Sequence, residues 1–469
     1  METKIVQPLS RPIHTTIVPP GSKSITNRAF ILAALARGET HLTGVLHSDD
    51  TQYMSNALKQ LGVEIEQDIN GSEARIVGCS GQFPAPQADL FLGNSGTSVR
   101  FLTAALVHGI GSFRLDGIER MRQRPIADLV EALRRWNVAV DYELNNGFPP
   151  IKMTPNGRIG THTAIKGSVS SQFLSALMMA AVGSKEKSTI SVLGDLVSRP
   201  YVKMTRSLME AFGVRLTERE FNSKSPSDCE PSDCESSDCE SSNCESSFND
   251  QKSGPLDADR PTLEIIIDGN QEYRGCKYAI EPDASAASYF FAAAAVAGGQ
   301  VRVEGLSRNA IQGDIRFVDC LERMGCEVEW VPNATIVRRS QPLHGIDVDM
   351  HDISDTAQTL GVAALFADSP TTIRNVANMR LKETDRIAAL CAELRKFGAH
   401  VQEYPDGLTV RPRPVDQYSP ATIATYDDHR MAMSFAVAGL KIPGVCIENP
   451  GCTSKTFPRF FEELERIGK

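Results

Sequence analysis

The chain has 469 residues, 41% apolar and 23% charged, with a formal net charge of −9 at pH 7. A single core stops growing at roughly 250–300 residues, so this length predicts two domains. The negative balance argues against a general nucleic-acid or anionic-membrane surface, and no run of about 18 apolar residues predicts a membrane span. The opening METKIVQPLSRPIHTTIVPP lacks a basic stretch followed by an apolar one, so the expectation is a cytoplasmic protein. Of its 11 cysteines, four share one low-complexity stretch and the rest are scattered singly, which predicts reduced, mostly buried thiols.

The first element that carries chemistry is PPGSKSITNRAFILAALA, from Pro19. Gly21, Ser22, Lys23 and Ser24 precede a helix of apolar periodicity, so backbone N–H groups and an ammonium converge at a positive helix terminus. That combination suits an anion, although a solvated lysine at a helix start gives the same pattern and the GxxxxGK[ST] spacing is absent. LGNSGTSVRFLTAAL repeats the arrangement, with Asn94, Gly96 and Thr97 in a turn before a helix that carries Arg100. KGSVSSQFLSALMMAA repeats it again, with Ser168, Ser170, Ser171 and Gln172 at the helix start. Each serine also fits an ordinary N-cap, and the recurrence at equivalent places is what favours a ligand.

These places are equivalent because the chain repeats. Helix-end signals stand at Leu61, Trp136, Phe212, Met324, Phe397 and Arg466, at intervals of 75, 76, 112, 73 and 69 residues. The intervals become alike if the third carries an insertion of roughly 35–40 residues. Residues 222–260 supply it, with SDCEP, SDCES, SDCES and SNCES in tandem from Ser227, Ser232, Ser237 and Ser242. So little apolar surface cannot offset ordering entropy, which predicts a disordered surface loop. The alternative is a soft-metal site at Cys229, Cys234, Cys239 and Cys244, whose constant spacing is not the CxxC pairing of structural zinc.

Six units divide into two groups of three. The expected domains are 21–280, which contains the insertion, and 1–20 plus 281–469. Two crossings, near 20 and 280, would make a hinge.

Cations recur in RMRQRPIADL, NMRLKETDR, DDHRMAM and CTSKTFPRF, which single out Arg124, Arg386, Arg430 and Lys455. Each fits a surface ion pair worth under about 1 kcal/mol. Guanidinium forks also match the paired oxygens of carboxylates and phosphates. Gathered in one cleft, they would hold a compact, highly charged anion in an otherwise acidic protein.

Seven motifs in order carry a resemblance: PPGSKSITNR, LGNSGTSVRFL, RMRQRPIADL, GSVSSQFLSAL with SRPYV, EPDASAASYF with GDIRF, MRLKETDR, and DDHRMAM with CTSKTFP. Through them the sequence resembles the 5-enolpyruvylshikimate-3-phosphate synthases (3-phosphoshikimate 1-carboxyvinyltransferases), members of the enolpyruvyl transferase family, along its whole length apart from the insertion. The resemblance implies an α/β fold of two domains, each three βαβαββ units forming an inverse α/β prism. It implies transfer of the enolpyruvyl group of phosphoenolpyruvate to the 5-hydroxyl of shikimate 3-phosphate, in chorismate and aromatic amino acid biosynthesis. The implied enzyme is a cytoplasmic monomer with no cofactor and no metal, and a target of glyphosate.

Carried over motif by motif, phosphoenolpyruvate would lie among Lys23, Asn94, Gly96, Arg124, Gln172, Arg386, Arg430 and Lys455. Shikimate 3-phosphate would touch Lys23, Ser24, Arg28, Ser170, Ser171, Gln172, Ser198, Tyr201, Asp355, Asn378 and Lys382. Asp355 would take the hydroxyl proton, and Glu383, helped by Lys23, would serve the methylene carbon. His429 would orient phosphate or be a structural histidine.

The chain departs from the family pattern at Phe101, where proline is often found, at Ser95 and Ser98, where one branch has alanine, and at Asp427, where asparagine is frequent. Phe101 puts glyphosate sensitivity in doubt, and Asp427 is expected to retune Arg430. Three other functions compete, one of them a structural or metal-sequestering role for the cysteine repeat. A UDP-N-acetylglucosamine enolpyruvyl transferase would carry a reactive cysteine loop, and no cysteine lies between Cys79 and Cys229. A non-catalytic anion-binding homologue would have no need of both Asp355 and Glu383.

Overall fold

The computed structural model describes residues 2–68, 70–221 and 261–468; the cysteine repeat lies outside the described residues. Among the described residues there are six sheets, and five share one pattern of four strands. In the sheet built on Gln87–Phe91, that strand runs parallel to Ser112–Asp116, which pairs antiparallel with Ile151–Thr154 and through it with Ala139–Tyr142. The alternation of buried and exposed residues in strands such as Glu39–Thr43 matches one face on the core and one in water.

Three sheets borrow a strand from a distant part of the chain. Lys277–Ala279 lies parallel to Glu39–Thr43 and opens the first unit, while Ile13–Ile17 lies parallel to Gly299–Glu304 and opens the fourth. Thr3–Ile5 pairs antiparallel with Cys446–Glu448 and completes the sixth sheet. The chain therefore exchanges strands between its halves near residues 20 and 280. There the two passes bond each other: Ser22 N–H donates to the Glu281 carbonyl at 2.8 Å and Asp283 N–H to that of Pro20 at 2.7 Å. A Cβ on Gly21 would sit 1.8 Å from the Gly44 carbonyl oxygen, so no side chain fits at this approach.

Two buried clusters result. One gathers residues from Ile25 to Ile280, the other Val6, Ile13 and Ile17 with residues from Ala284 to Ile467. At each centre lie helices apolar on nearly every face, as an interior helix must be. Gly96–Ala105, Ala357–Ala363 and His429–Gly439 are buried at every residue, and Lys23–Leu35 is buried from Ile25 onward. Outer helices such as Arg199–Ala211 bury one side only. Because the inner helices carry the site residues at their N-terminal ends, the core that stabilises each half also aims positive helix termini at one cleft. No helix among the described residues is long and apolar enough to cross a membrane.

The insertion falls between Leu216–Glu220 and Pro261–Ile267, which pair antiparallel as neighbours. An expansion there lengthens a connection without interrupting a sheet.

Candidate active site

Two adjoining recesses lie between the halves and share Lys382. One is lined by Lys23, Asp50, Gly96, Thr97, Arg124, Gln172, Asp355, Glu383, Arg386 and Arg430, and the other by Arg100, Ser170, Ser171, Ser198 and Asn378. The first is a cation cradle and the second a hydroxyl-lined pocket, side by side.

The cradle is built from both halves. Arg124 is 4% exposed; one terminal nitrogen donates to the Asn94 carbonyl at 3.2 Å, and its Nε is buried without a partner. Gly96 opens its helix directly beneath that guanidinium, where an added Cβ would meet it at 2.5 Å. From the other half, Lys455 donates to the same Asn94 carbonyl at 3.0 Å and to Glu383 at 2.9 Å. Arg386 is fully spanned by carboxylates: Asp428 at 2.6 Å, Glu383 at 2.8 Å and Asp355 at 3.3 Å. Arg430 lies 2.8 Å from Asp355 Oδ2 and 2.9 Å from the Asp355 carbonyl. Its Nε is also buried without a partner, so each of these two guanidiniums holds one unused donor.

Burial would push both carboxyls up, but the cations prevail. Arg430, Lys382, Arg386 and Lys23 hold Asp355 far below the usual carboxylate range. Lys455, Arg386 and Arg124 do the same for Glu383. Arg100, buried beside Arg124, has its pKa lowered to about 9, and it donates to Gln172 at 2.6 Å. His429, buried among Lys23, Arg430 and Lys455, is held neutral: burial first and then those charges push its pKa well below the ordinary value.

In the hydroxyl pocket, Ser170 caps its helix by accepting from Gln172 N–H at 3.3 Å. Ser198 adopts a left-handed backbone (φ 54°) before its helix, and its hydroxyl accepts from Asn378 at 3.5 Å. Arg28 is 1% exposed and donates four bonds to the protein: Thr205 at 2.7 Å, Ser24 carbonyl at 3.0 Å, Ser175 at 3.2 Å and Tyr201 carbonyl at 3.4 Å. Arg28 thus holds the frame of the pocket, with at most one of its five N–H groups left for a ligand. Burial lowers its pKa to about 10.

Most of the sequence-selected residues line these two recesses; Asn94 and Lys455 line a neighbouring one that shares Asp50 with the cradle, Ser24, Arg28 and Tyr201 line neither, and three further residues stand close by. Asp50, buried in the lining of the cradle, sits 3.5 Å from Lys23. Arg120 reaches across the cleft to the carbonyls of Glu383 at 2.8 Å and Lys382 at 2.9 Å. Asp314 lies behind Asp355, with Tyr201 between them. Of the departures from pattern, Phe101 forms a platform under Arg28, whose guanidinium carbon is 4.9 Å from the ring centre. Ser95 and Ser98 bond each other at 2.7 Å within the core. Asp427 is exposed and accepts from Asn449 at 3.2 Å, so the acid joined to the Arg386 and Arg430 network is its neighbour Asp428. The expectation that Asp427 retunes Arg430 is replaced by that assignment.

Exchanged three-unit halves with a cation-lined recess between them are the architecture of a two-part α/β enzyme. The family model of EPSP synthase (3-phosphoshikimate 1-carboxyvinyltransferase) matches residues 9–226 and 251–464, and the chain belongs to that family. Relatives named 3-phosphoshikimate 1-carboxyvinyltransferase include that of Trichormus variabilis, 44% identical over 467 residues and covering 100% of this chain and 99% of its own. That of Photobacterium profundum is 43% identical over 471 residues, covering 100% of both. The fold matches EPSP synthase from Acinetobacter baumannii with a TM-score of 0.76 at 23% identity, over 100% of this chain and 98% of that one.

Proposed function

We infer that the chain transfers the enolpyruvyl group of phosphoenolpyruvate to the 5-hydroxyl of shikimate 3-phosphate, releasing phosphate. The observation that carries this reading is the cradle itself. Arg124 and the Asn94 carbonyl from one half meet Arg386, Arg430 and Lys455 from the other around two ionised carboxylates. Such a field suits a donor that bears both carboxylate and phosphate, and the neighbouring hydroxyls with Lys382 suit the phosphorylated ring.

In the reaction, Asp355 takes the proton of the 5-hydroxyl as its oxygen bonds to C2 of the donor, and Glu383 delivers a proton to C3. The tetrahedral intermediate then collapses: the C2–O bond to phosphate breaks as a C3 proton returns to Glu383, and the hydroxyl proton held by Asp355 leaves on the departing phosphate, which restores both carboxylates. Glu383 rests ionised because Lys455 and Arg386 surround it. An incoming trianionic donor competes for those cations and raises the proton affinity of Glu383, which readies it as an acid when substrate is bound. Guanidinium and ammonium groups supply the field that stabilises charge in the intermediate, so the chemistry calls for no cofactor or metal.

The two buried clusters support domains of 21–280 and 1–20 plus 281–469, hinged where the two passes bond near residues 20 and 280. Opening at that hinge would separate Arg124 from Arg386 and release product; closure would exclude water from the charged reactants. A cytoplasmic monomer fits the acidic surface and two self-contained cores. The test is phosphate release from purified protein given phosphoenolpyruvate with either shikimate 3-phosphate or UDP-N-acetylglucosamine. Release with the first alone supports the assignment, and release with the nucleotide sugar alone overturns it.

A further inference from the structure

Behind Asp355 lies a closed ring of side chains. Tyr201 Oη is 3.2 Å from Asp355 Oδ2 and 3.1 Å from Asp314 Oδ2. Ser285 donates to that same Asp314 oxygen, and Arg430 closes the ring, 3.4 Å from Ser285 Oγ and 2.8 Å from Asp355. Asp314 is 3% exposed, and its Oδ1 is buried without a partner.

The phenol of Tyr201 has one hydrogen and two carboxylates within reach of it. Burial and the adjacent carboxylates raise the phenol pKa well above the ordinary value, so this hydrogen stays on oxygen and must choose between them. A hydrogen bond donated to Asp355 weakens it as a base, and Asp355 is already weakened by Arg430, Lys382, Arg386 and Lys23. A second carboxylate that draws the phenol away, and adds its own negative charge, works in the opposite direction.

We propose that Asp314 is a positioning residue for Asp355: it competes for the Tyr201 hydrogen, leaving Arg430 as the remaining donor to Asp355 Oδ2 and that oxygen more basic toward the substrate hydroxyl. The inference rests on the reading of Asp355 as the proton acceptor. The groups facing Asp314 are Ser285 and Asp283 from the segment 283–297, Tyr201 from the helix Arg199–Ala211, Asp355 from the turn His351–Thr356, and Arg430. Burial first, then Asp355, raises its pKa to about 6, so it is ionised at neutral pH and protonated just below.

The experiment is the pH profile of kcat for full-length wild type, Asp314→Asn and Tyr201→Phe with both substrates saturating. Asp314→Asn is expected to lower kcat at pH 7 about tenfold, the equivalent of one unit of proton affinity, and to move the acid limb to lower pH. Tyr201→Phe removes the competing donor and is expected to move that limb to higher pH. Any pair of results other than opposite shifts, including lost kcat with an unmoved limb, overturns the proposal. If Asp314→Asn does not fold, Asp314→Ser is read by the same limb. Asp355→Asn separates the two readings: undiminished kcat there removes Asp355 as the base, whereas its loss beside an unmoved Asp314→Asn limb sinks only the role of Asp314.

Discussion

The ammonium of Lys455 lies 3.0 Å from the carbonyl oxygen of Asn94, a residue of the other half, and 2.9 Å from Glu383 in its own. One side chain therefore links the halves and holds the proposed proton donor ionised. Replacing it with methionine keeps an unbranched side chain, one atom shorter, and removes the charge. A donor aimed at developing charge contributes a factor of roughly 10²–10³, so Lys455→Met is expected to lower kcat/KM for phosphoenolpyruvate by about that factor. Steady-state kinetics against each substrate will show it; the KM for shikimate 3-phosphate should hardly change.

Gly96 gives a sharper steric test. A methyl group there would lie 2.5 Å from one terminal nitrogen of Arg124 and 2.6 Å from its central carbon. The guanidinium must then move off the Asn94 carbonyl. Displacing a binding group by about 1 Å costs up to about a hundredfold, so Gly96→Ala is expected to raise the KM for phosphoenolpyruvate ten- to a hundredfold. Shikimate 3-phosphate affinity, measured alone by calorimetry, should stay at the wild-type value.

Arg120 tests the contact across the cleft. Its two bonds hold the backbone of Lys382 and Glu383 from across the cleft. Hydrogen bonds from a charged donor contribute about 1.5–3 kcal/mol, so Arg120→Ala is expected to lower kcat/KM for both substrates by roughly ten- to a hundredfold. Each half keeps its own core, so the thermal midpoint should shift little. A large fall in that midpoint would instead make Arg120 a fold residue.

The six units were legible in sequence because a helix ending in glycine before a short strand leaves a local signature, as at Leu61 and Phe397. The strand exchange was only partly so: nothing local in Lys277–Ala279 says that its parallel partner is Glu39–Thr43. The cradle was legible because Arg124, Arg386, Arg430 and Lys455 each stand in a short motif of their own. Asp50, Arg120 and Asp314 were not, for different reasons. Asp50 sits in the first turn of an ordinary capped helix, and Arg120 opens the same motif as Arg124. Asp314 has the look of an acid at a helix start, and its meaning comes from Tyr201, 113 residues away.

His429 provides a prediction whose sign can be worked out. The ring is 1% exposed, neither nitrogen has a hydrogen-bond partner, and burial with Lys23 and Arg430 depresses its pKa well below the ordinary value. In the unfolded chain the same ring titrates near its free value of about 6.5. Below that pH the unfolded chain takes up a proton that the folded one refuses, so the stability is present above about pH 6.5 and is lost as pH falls. The slope from one such group is at most about 1.4 kcal/mol per pH unit. His429→Asn removes the titrating group, so its stability relative to wild type should improve by about 1 kcal/mol between pH 7.5 and 5.5. Urea unfolding of both proteins at those two pH values measures this difference. A gap that does not change with pH would mean that His429 takes up its proton in the folded enzyme, and the cations around it would then have to be farther from the ring than Lys23 and Arg430 are here.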